Sequence, residues 1–247
     1  TDADCYHSKN YLLNINHFIQ KHNPLMISGP VRFENKNGFF NQFLQMEFSG
    51  LIGAGAGSIA LNKPIMSNGA NLIFQKEKFM EVNAYEGTHK YSSGDDISLM
   101  MKFNKQYGPH SIHFIKSPDT VVNTPTADSF KEFLQQRLRW VSKSKAYNDF
   151  FQLFVSFVVY AINFIIIISL IGAIFGLTSF NVFLIVFGFK LLSDLPLFLH
   201  NKKFFNLATS YWQYPINQLL NALYTTVIGI LGQFNMARWK GRKVINY

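Results

Sequence analysis

The sequence predicts an α/β domain over residues 1–128, followed by a helical part suited to a membrane. Three observations predict it. Short strand-like stretches alternate with helical patterns up to about residue 125, and none of them has membrane length. A Ser129-x-x-Glu132 capping box then opens a basic, amphipathic segment. Between Asp149 and Lys190 the chain carries no charged residue. That run is about twice what one helix needs to cross the hydrocarbon core, so it reads as a hairpin of two spans.

Composition agrees. Of 247 residues 48% are hydrophobic and the mean hydropathy is positive, at +0.07, which favours a domain joined to membrane helices. The net charge is +9, and many of the basic residues lie close to apolar segments: Lys143, Lys145, Lys202, Lys203, Arg238, Lys240, Arg242 and Lys243. This placement suits anionic lipids at the cytoplasmic face and excludes a nucleic-acid partner. The single cysteine, Cys5, rules out an intramolecular disulfide and fits a reducing compartment.

In chain order, residues 27–33 form a short β-like stretch punctuated by Gly29-Pro30, and 39–52 form an aromatic-rich helix. Gly50, Gly53, Gly55 and Gly57 are expected to end that helix in a loop. Residues 66–74 read as a turn entering a strand, and 76–82 as a short helix. Asp95-Asp96 opens a helix whose apolar residues Ile97, Met100, Met101 and Phe103 recur at helical spacing up to Gly108-Pro109. Strands are expected at 112–115 and 120–122.

The capping box starts a helix that should run to about Lys145. On it Phe130, Phe133, Leu134, Leu138 and Val141 form an apolar stripe. Gln136, Arg139, Trp140 and Lys143 share another face, at i, i+3, i+4 and i+7. That is the pattern of a helix lying at a membrane interface. Spans are expected at about 151–171 and 178–199, with a break within 172–181. A third apolar segment, about 212–234, is interrupted by Pro215, Asn217, Gln218 and Asn221. A full crossing there would carry the basic tail outside, against the positive-inside bias, so a re-entrant or tilted segment with a cytosolic tail is expected.

Several residues could carry chemistry. Asp2 and Asp4, at i and i+2, offer hard oxygens on one side of a strand end, suited to Mg²⁺ or Mn²⁺. Asp95 and Asp96 begin a helix, where the dipole favours a carboxylate able to act as a base. Arg139 offers a bidentate fork for phosphate oxygens, Trp140 a flat apolar face for a sugar ring, and Gln136 a hydrogen-bonding amide. His110 and His113 flank a strand-like stretch, but no further ligand is spaced to complete a metal site.

Singly these signals are unspecific. In order, Asp2-Ala3-Asp4, Ser93-Gly94-Asp95-Asp96 and Gln136-Arg137-Leu138-Arg139-Trp140, followed by membrane spans, resemble a membrane-embedded family 2 glycosyltransferase. Cellulose, chitin and hyaluronan synthases and ceramide glucosyltransferases are members of that kind. Met66-Ser67-Asn68-Gly69-Ala70-Asn71 and a tail ending in Trp239-Lys240-Gly241-Arg242 add to the resemblance.

The resemblance implies a GT-A-type, Rossmann-like α/β domain. Residues 1–128 would be its C-terminal part, 129–148 an interfacial helix and 149–247 a transmembrane region with a basic tail. It implies that a nucleotide-binding half, with a further acidic motif, precedes this segment. It implies an inverting hexosyltransferase of the cell membrane, multi-pass and with its catalytic part in the cytosol. The donor would be a nucleotide-diphosphate sugar and the acceptor a polysaccharide or lipid-linked glycan. Asp4 would be a direct metal ligand, and Asp2 a metal ligand and neighbour of the nucleotide. Asp96 would be the general base, with Asp95 substrate-binding beside it. Asn68 and Asn71 would border the sugar, and Gln136, Arg139 and Trp140 the mouth of the site.

Two other readings compete. Lys190 and Asp194, inside the second apolar run, suggest a transporter or channel subunit, although their i, i+4 spacing lets them pair with each other. A non-catalytic membrane anchor or assembly partner of a glycan synthesis complex is the other.

Overall fold

A computed structural model describes residues 1–86, 94–142 and 149–232, with two short strands at 238–239 and 242–243. The chain divides into two compact units. The first comprises Thr1–Thr126 and Asn201–Ala208, the second Ala127–His200 and Thr209–Tyr247.

The first unit is a mixed α/β body with small sheets. Helix α1 (Tyr11–His22) precedes strands β1 (Met26–Ser28) and β2 (Val31–Phe33), which Gly29-Pro30 separates. Helix α2 (Phe39–Ala60) is followed by a 3₁₀ turn (Gly69–Asn71), β3 (Leu72–Phe74) and α3 (Lys76–Glu81). Helix α4 (Asp95–Tyr107), β4 (Ile112–Phe114) and β5 (Val122–Thr124) complete the described elements. Strand β1 is central, antiparallel to β3 and parallel to β4, with Ile27 opposite Ile73 on one side and His113 on the other. Strands β2 and β5 pair in parallel. Helix α4 buries Leu99, Met100 and Phe103 against Met26, Ile59 and Ile112; of the residues read from the spacing Met100 and Phe103 lie in this core, Met101 packs at its edge, and Leu99 joins it where Ile97 does not.

Two expectations are corrected here. Helix α2 does not end at the glycines but runs through them to Ala60. Each interior glycine costs a helix about 1 kcal/mol relative to Ala. Burial offsets that cost, because Ile52, Gly55, Ser58 and Ile59 all face inward and Gly55 lies close to Met66. The strand expected at 120–122 starts at Val122, because Pro118 opens a 3₁₀ turn over Pro118–Thr120.

In the second unit, α5 (Phe130–Ser142) is followed by α6 (Phe150–Ile174), α7 (Phe180–Phe204) and α8 (Gln213–Leu231). The last turn of α7, from Asn201, belongs to the first unit, where the Asn201 amide donates to the Ser49 carbonyl at 2.8 Å. The capping box forms at α5: the Glu132 N–H donates to Ser129 Oγ at 3.2 Å, and the Glu132 carboxylate accepts from the Asp128 N–H at 2.9 Å. The apolar stripe of α5 is occupied by α8, with Leu138, Leu134 and Val141 against Ile228, Tyr224 and Leu231. Its first member, Phe130, is exposed. Residues 143–148, which include the end of the expected helix and Lys143 and Lys145, lie outside the described residues.

Helices α6 and α7 are each long and apolar enough to cross a membrane. Only 17% of the most apolar stretch of α6 and 11% of that of α7 is buried within the chain, so neither resembles the core helix of a soluble protein. Helix α8 is not among these candidates. Pro215 sits in its first turn, where the missing N–H costs nothing, and Asn217 and Gln218 turn inward rather than interrupting it. Strands β6 (Arg238–Trp239) and β7 (Arg242–Lys243) pair antiparallel; no side chain in the tail falls within the described residues.

Candidate active site

Asp2 and Asp4 are exposed and lie just ahead of a single antiparallel bridge between Tyr6 and Asn123 on β5. The sequence leads one to expect a strand end, but the Asp2 carbonyl accepts from the Cys5 N–H at 3.2 Å and closes a turn. The turn still gathers ligands: an oxygen of each carboxylate and the Cys5 thiol all lie within 4.8 Å of one another. Burial pushes the Cys5 thiol up, and the two carboxylates are the hard oxygen donors of the cluster. That donor set fits Mg²⁺ or Mn²⁺.

Asp95 and Asp96 occupy the first turn of α4. Gly94, just before them, has φ +103°, a conformation side-chain-bearing residues rarely adopt, which explains the glycine in this motif. Asp95 is exposed and Asp96 half-buried. Both oxygens of Asp96 accept from backbone: Oδ1 from the Ile97 N–H at 2.8 Å and Oδ2 from the Gly69 N–H at 3.1 Å. Burial, followed by the charges of Asp95 and Asp96, pushes the Tyr85 phenol up, which sets Tyr85 in the same neighbourhood.

The turn that supplies Gly69 is itself held. The Asn68 side chain accepts from the Ala70 N–H at 3.0 Å. Asn71 is 1% exposed, and its side chain faces the interior. Its amide donates to the Pro30 and Thr120 carbonyls, both at 2.8 Å, and accepts from the Tyr11 hydroxyl at 2.7 Å. A Cβ on Gly29 would overlap the Asn71 side chain, so only glycine fits there. Of the two asparagines expected beside the sugar, the structure thus uses Asn71 to tie together α1, the β1–β2 corner and the turn before β5.

In the second unit, Gln136, Arg139 and Trp140 lie on α5, all half-buried. Sequence reasoning passed over Arg137, which is 3% exposed. Its guanidinium lies 4.1 Å from the centre of the Trp140 ring and 4.9 Å from that of Phe133, and it donates to Gln136 Oε1 at 2.8 Å. The signal was present in the spacing: Arg137 stands four residues after Phe133 and three before Trp140, where helical neighbours meet.

Ser93, the first residue of its motif, lies outside the described residues. His113 packs near Phe18 and His22, and burial, then His22 and His110, lowers its proton affinity. Among the described residues, Asp2, Asp4 and Cys5 are the only cluster that could hold a metal ion. Lys190 and Asp194 pair on α7, and Gln218 of α8 donates to Asp194 at 3.0 Å.

The family model described as Glycosyl transferase family group 2 matches residues 1–227. No curated protein and no solved structure matches the chain.

Proposed function

The chain belongs to glycosyl transferase family group 2, and from that premise we propose an inverting transfer of a sugar from a nucleotide-diphosphate donor to a polysaccharide or lipid-linked acceptor at a membrane. The observation that carries this reading is the setting of Asp96, at a helix start, half-buried, with its carboxylate oriented by two backbone N–H groups. In the proposed step the acceptor oxygen bonds to the anomeric carbon as the bond from that carbon to the diphosphate oxygen breaks. The acceptor's proton passes to Asp96 and the nucleoside diphosphate leaves with the electron pair. Attack opposite the leaving group converts an α-linked donor into a β-linked product.

Asp4 and Asp2 would hold Mg²⁺ or Mn²⁺, which when bound supplies charge neutralisation to the departing diphosphate. Arg139 and Gln136 bind donor and acceptor oxygens, and Trp140, whose ring stacks on Arg137, supplies an aromatic ring for sugar contact. Asp95, exposed beside the base, contacts substrate, and Asn68 borders the sugar while Asn71 holds that border in place. The apolar, outward-facing α6 and α7 support placing the enzyme in a membrane, with its catalytic part on the cytosolic side where nucleotide sugars are found.

Transfer by the full-length protein in membranes, offered a panel of nucleotide sugars, tests the reading. Asp96→Asn should cut turnover by roughly 10²- to 10⁴-fold while donor affinity survives, because the base acts on the acceptor alone. Turnover within about tenfold of wild type would remove Asp96 from this role.

A further inference from the structure

We propose that the backbone N–H of Gly69 is a positioning group for the catalytic base, aiming the Asp96 carboxylate at the acceptor. The inference rests on the reading of Asp96 as that base. Three observations carry it. First, the Gly69 N–H reaches Asp96 Oδ2 at 3.1 Å across 27 residues of chain, while Oδ1 is engaged by the Ile97 N–H at 2.8 Å. With one oxygen held from its own helix and the other from a separate segment, the plane of the carboxylate is set rather than free to rotate.

Second, the donor stands on a rigid mount. Asn68 caps the 3₁₀ turn through the Ala70 N–H, the Asn71 N–H returns to the Asn68 carbonyl at 3.1 Å, and the buried Asn71 amide ties the turn to Pro30, Thr120 and Tyr11. The Gly69 N–H cannot move away from Asp96 without breaking those bonds. Third, position 69 is not a steric requirement for glycine. A Cβ there would meet Asp96 Cβ at 3.7 Å, an ordinary contact, and its backbone lies outside the positive-φ region. What position 69 contributes to Asp96 is therefore the amide itself.

That geometry permits a substitution that removes the donor and sets the proline ring Cδ where its hydrogen pointed, displacing Asp96 Oδ2 from its place. Gly69 is the first residue of the 3₁₀ turn, a place where proline is well tolerated, and Asn68 before it has φ −128° and ψ 120°, the extended conformation that proline demands of its predecessor. Gly69→Pro deletes the donor, whereas Gly69→Ala adds a methyl group and keeps it.

In the full-length protein, Gly69→Pro should lower kcat roughly 10- to 100-fold, the cost of a misaimed reacting group, with donor and acceptor KM within about threefold of wild type. Gly69→Ala should recover kcat to within a few-fold. Placed on Asp96→Asn, Gly69→Pro should cost nothing more, because the group it aims is gone. Equal kcat for the Pro and Ala variants, or an undiminished Pro effect on the Asp96→Asn background, would overturn the proposal. Full activity of Asp96→Asn would instead overturn the reading of the base itself. Should Gly69→Pro fail to fold, replacing the Gly69 amide by an ester removes the same N–H: a matching loss of kcat supports the proposal, and wild-type kcat overturns it.

Discussion

Asn71 is the residue whose expected role and observed placement differ most, and replacing it with alanine separates the two. Its side chain makes three hydrogen bonds in the interior of the first unit. The Pro30 carbonyl keeps a second donor, the Val122 N–H at 3.0 Å, so its loss is small. The Tyr11 hydroxyl and the Thr120 carbonyl lose the amide in buried surroundings, at about 1–3 kcal/mol each. Adding a small cavity, Asn71→Ala should cost about 3–5 kcal/mol, a large share of a typical domain's stability. Melting of the purified full-length protein in detergent should fall by roughly 10 °C. Tyr11→Phe, which breaks one of the three bonds, should cost about 1–2 kcal/mol. Gly29→Ala, whose methyl group would overlap Asn71, should fall in the same range as the larger loss. An Asn71→Ala protein that melts with wild type and instead loses donor affinity would refute the structural role and return Asn71 to the sugar pocket.

Two further predictions concern other parts of the chain. Asp4→Ala should weaken Mn²⁺-dependent binding of the nucleotide about 10- to 100-fold along with turnover, because the cation loses a hard ligand; calorimetric titration showing unchanged affinity would count against Asp4 as a ligand. Lys190→Leu should destabilise the second unit by about 2–3 kcal/mol, since Asp194 is left on an apolar helix with Gln218 as its neutral partner, and adding Asp194→Leu should restore the folded yield. A double variant as poor as the single would mean that the pair serves more than charge neutralisation.

How far the sequence announced the fold depends on whether the signal was local. The α4 apolar spacing, the capping box at Ser129 and Glu132 and the uncharged run after Asp149 each reside within a dozen or a few dozen residues, and each corresponds to an element observed. The glycines of α2 misled because helix propensity counts against them while the burial that outweighs it depends on Met66 and the sheet. The start of β5 moved because Pro118 satisfies a local turn that strand propensity does not register. Asn217 and Gln218 looked like breaks in an apolar segment. Their burial among neighbouring helices has no trace in a one-dimensional hydropathy pattern.

The same distinction governs the site. A motif names side chains, so Asp2, Asp4, Asp95, Asp96, Gln136, Arg139 and Trp140 could all be singled out from residue type and spacing. It does not name backbone amides, and the group that fixes Asp96 Oδ2 is one of these. Nor does it separate a half-buried asparagine from one facing the interior, since Asn68 and Asn71 differ by three positions and share a chemistry, yet one is half-buried and the other 1% exposed. Arg137 lies between these cases: the spacing to Phe133 and Trp140 was legible, but an arginine two positions from another arginine reads as surface charge until its burial is known. Residues singled out by motif are therefore constrained by their chemistry and stand out in the sequence, whereas residues that hold them are constrained by contacts and stand out only in three dimensions.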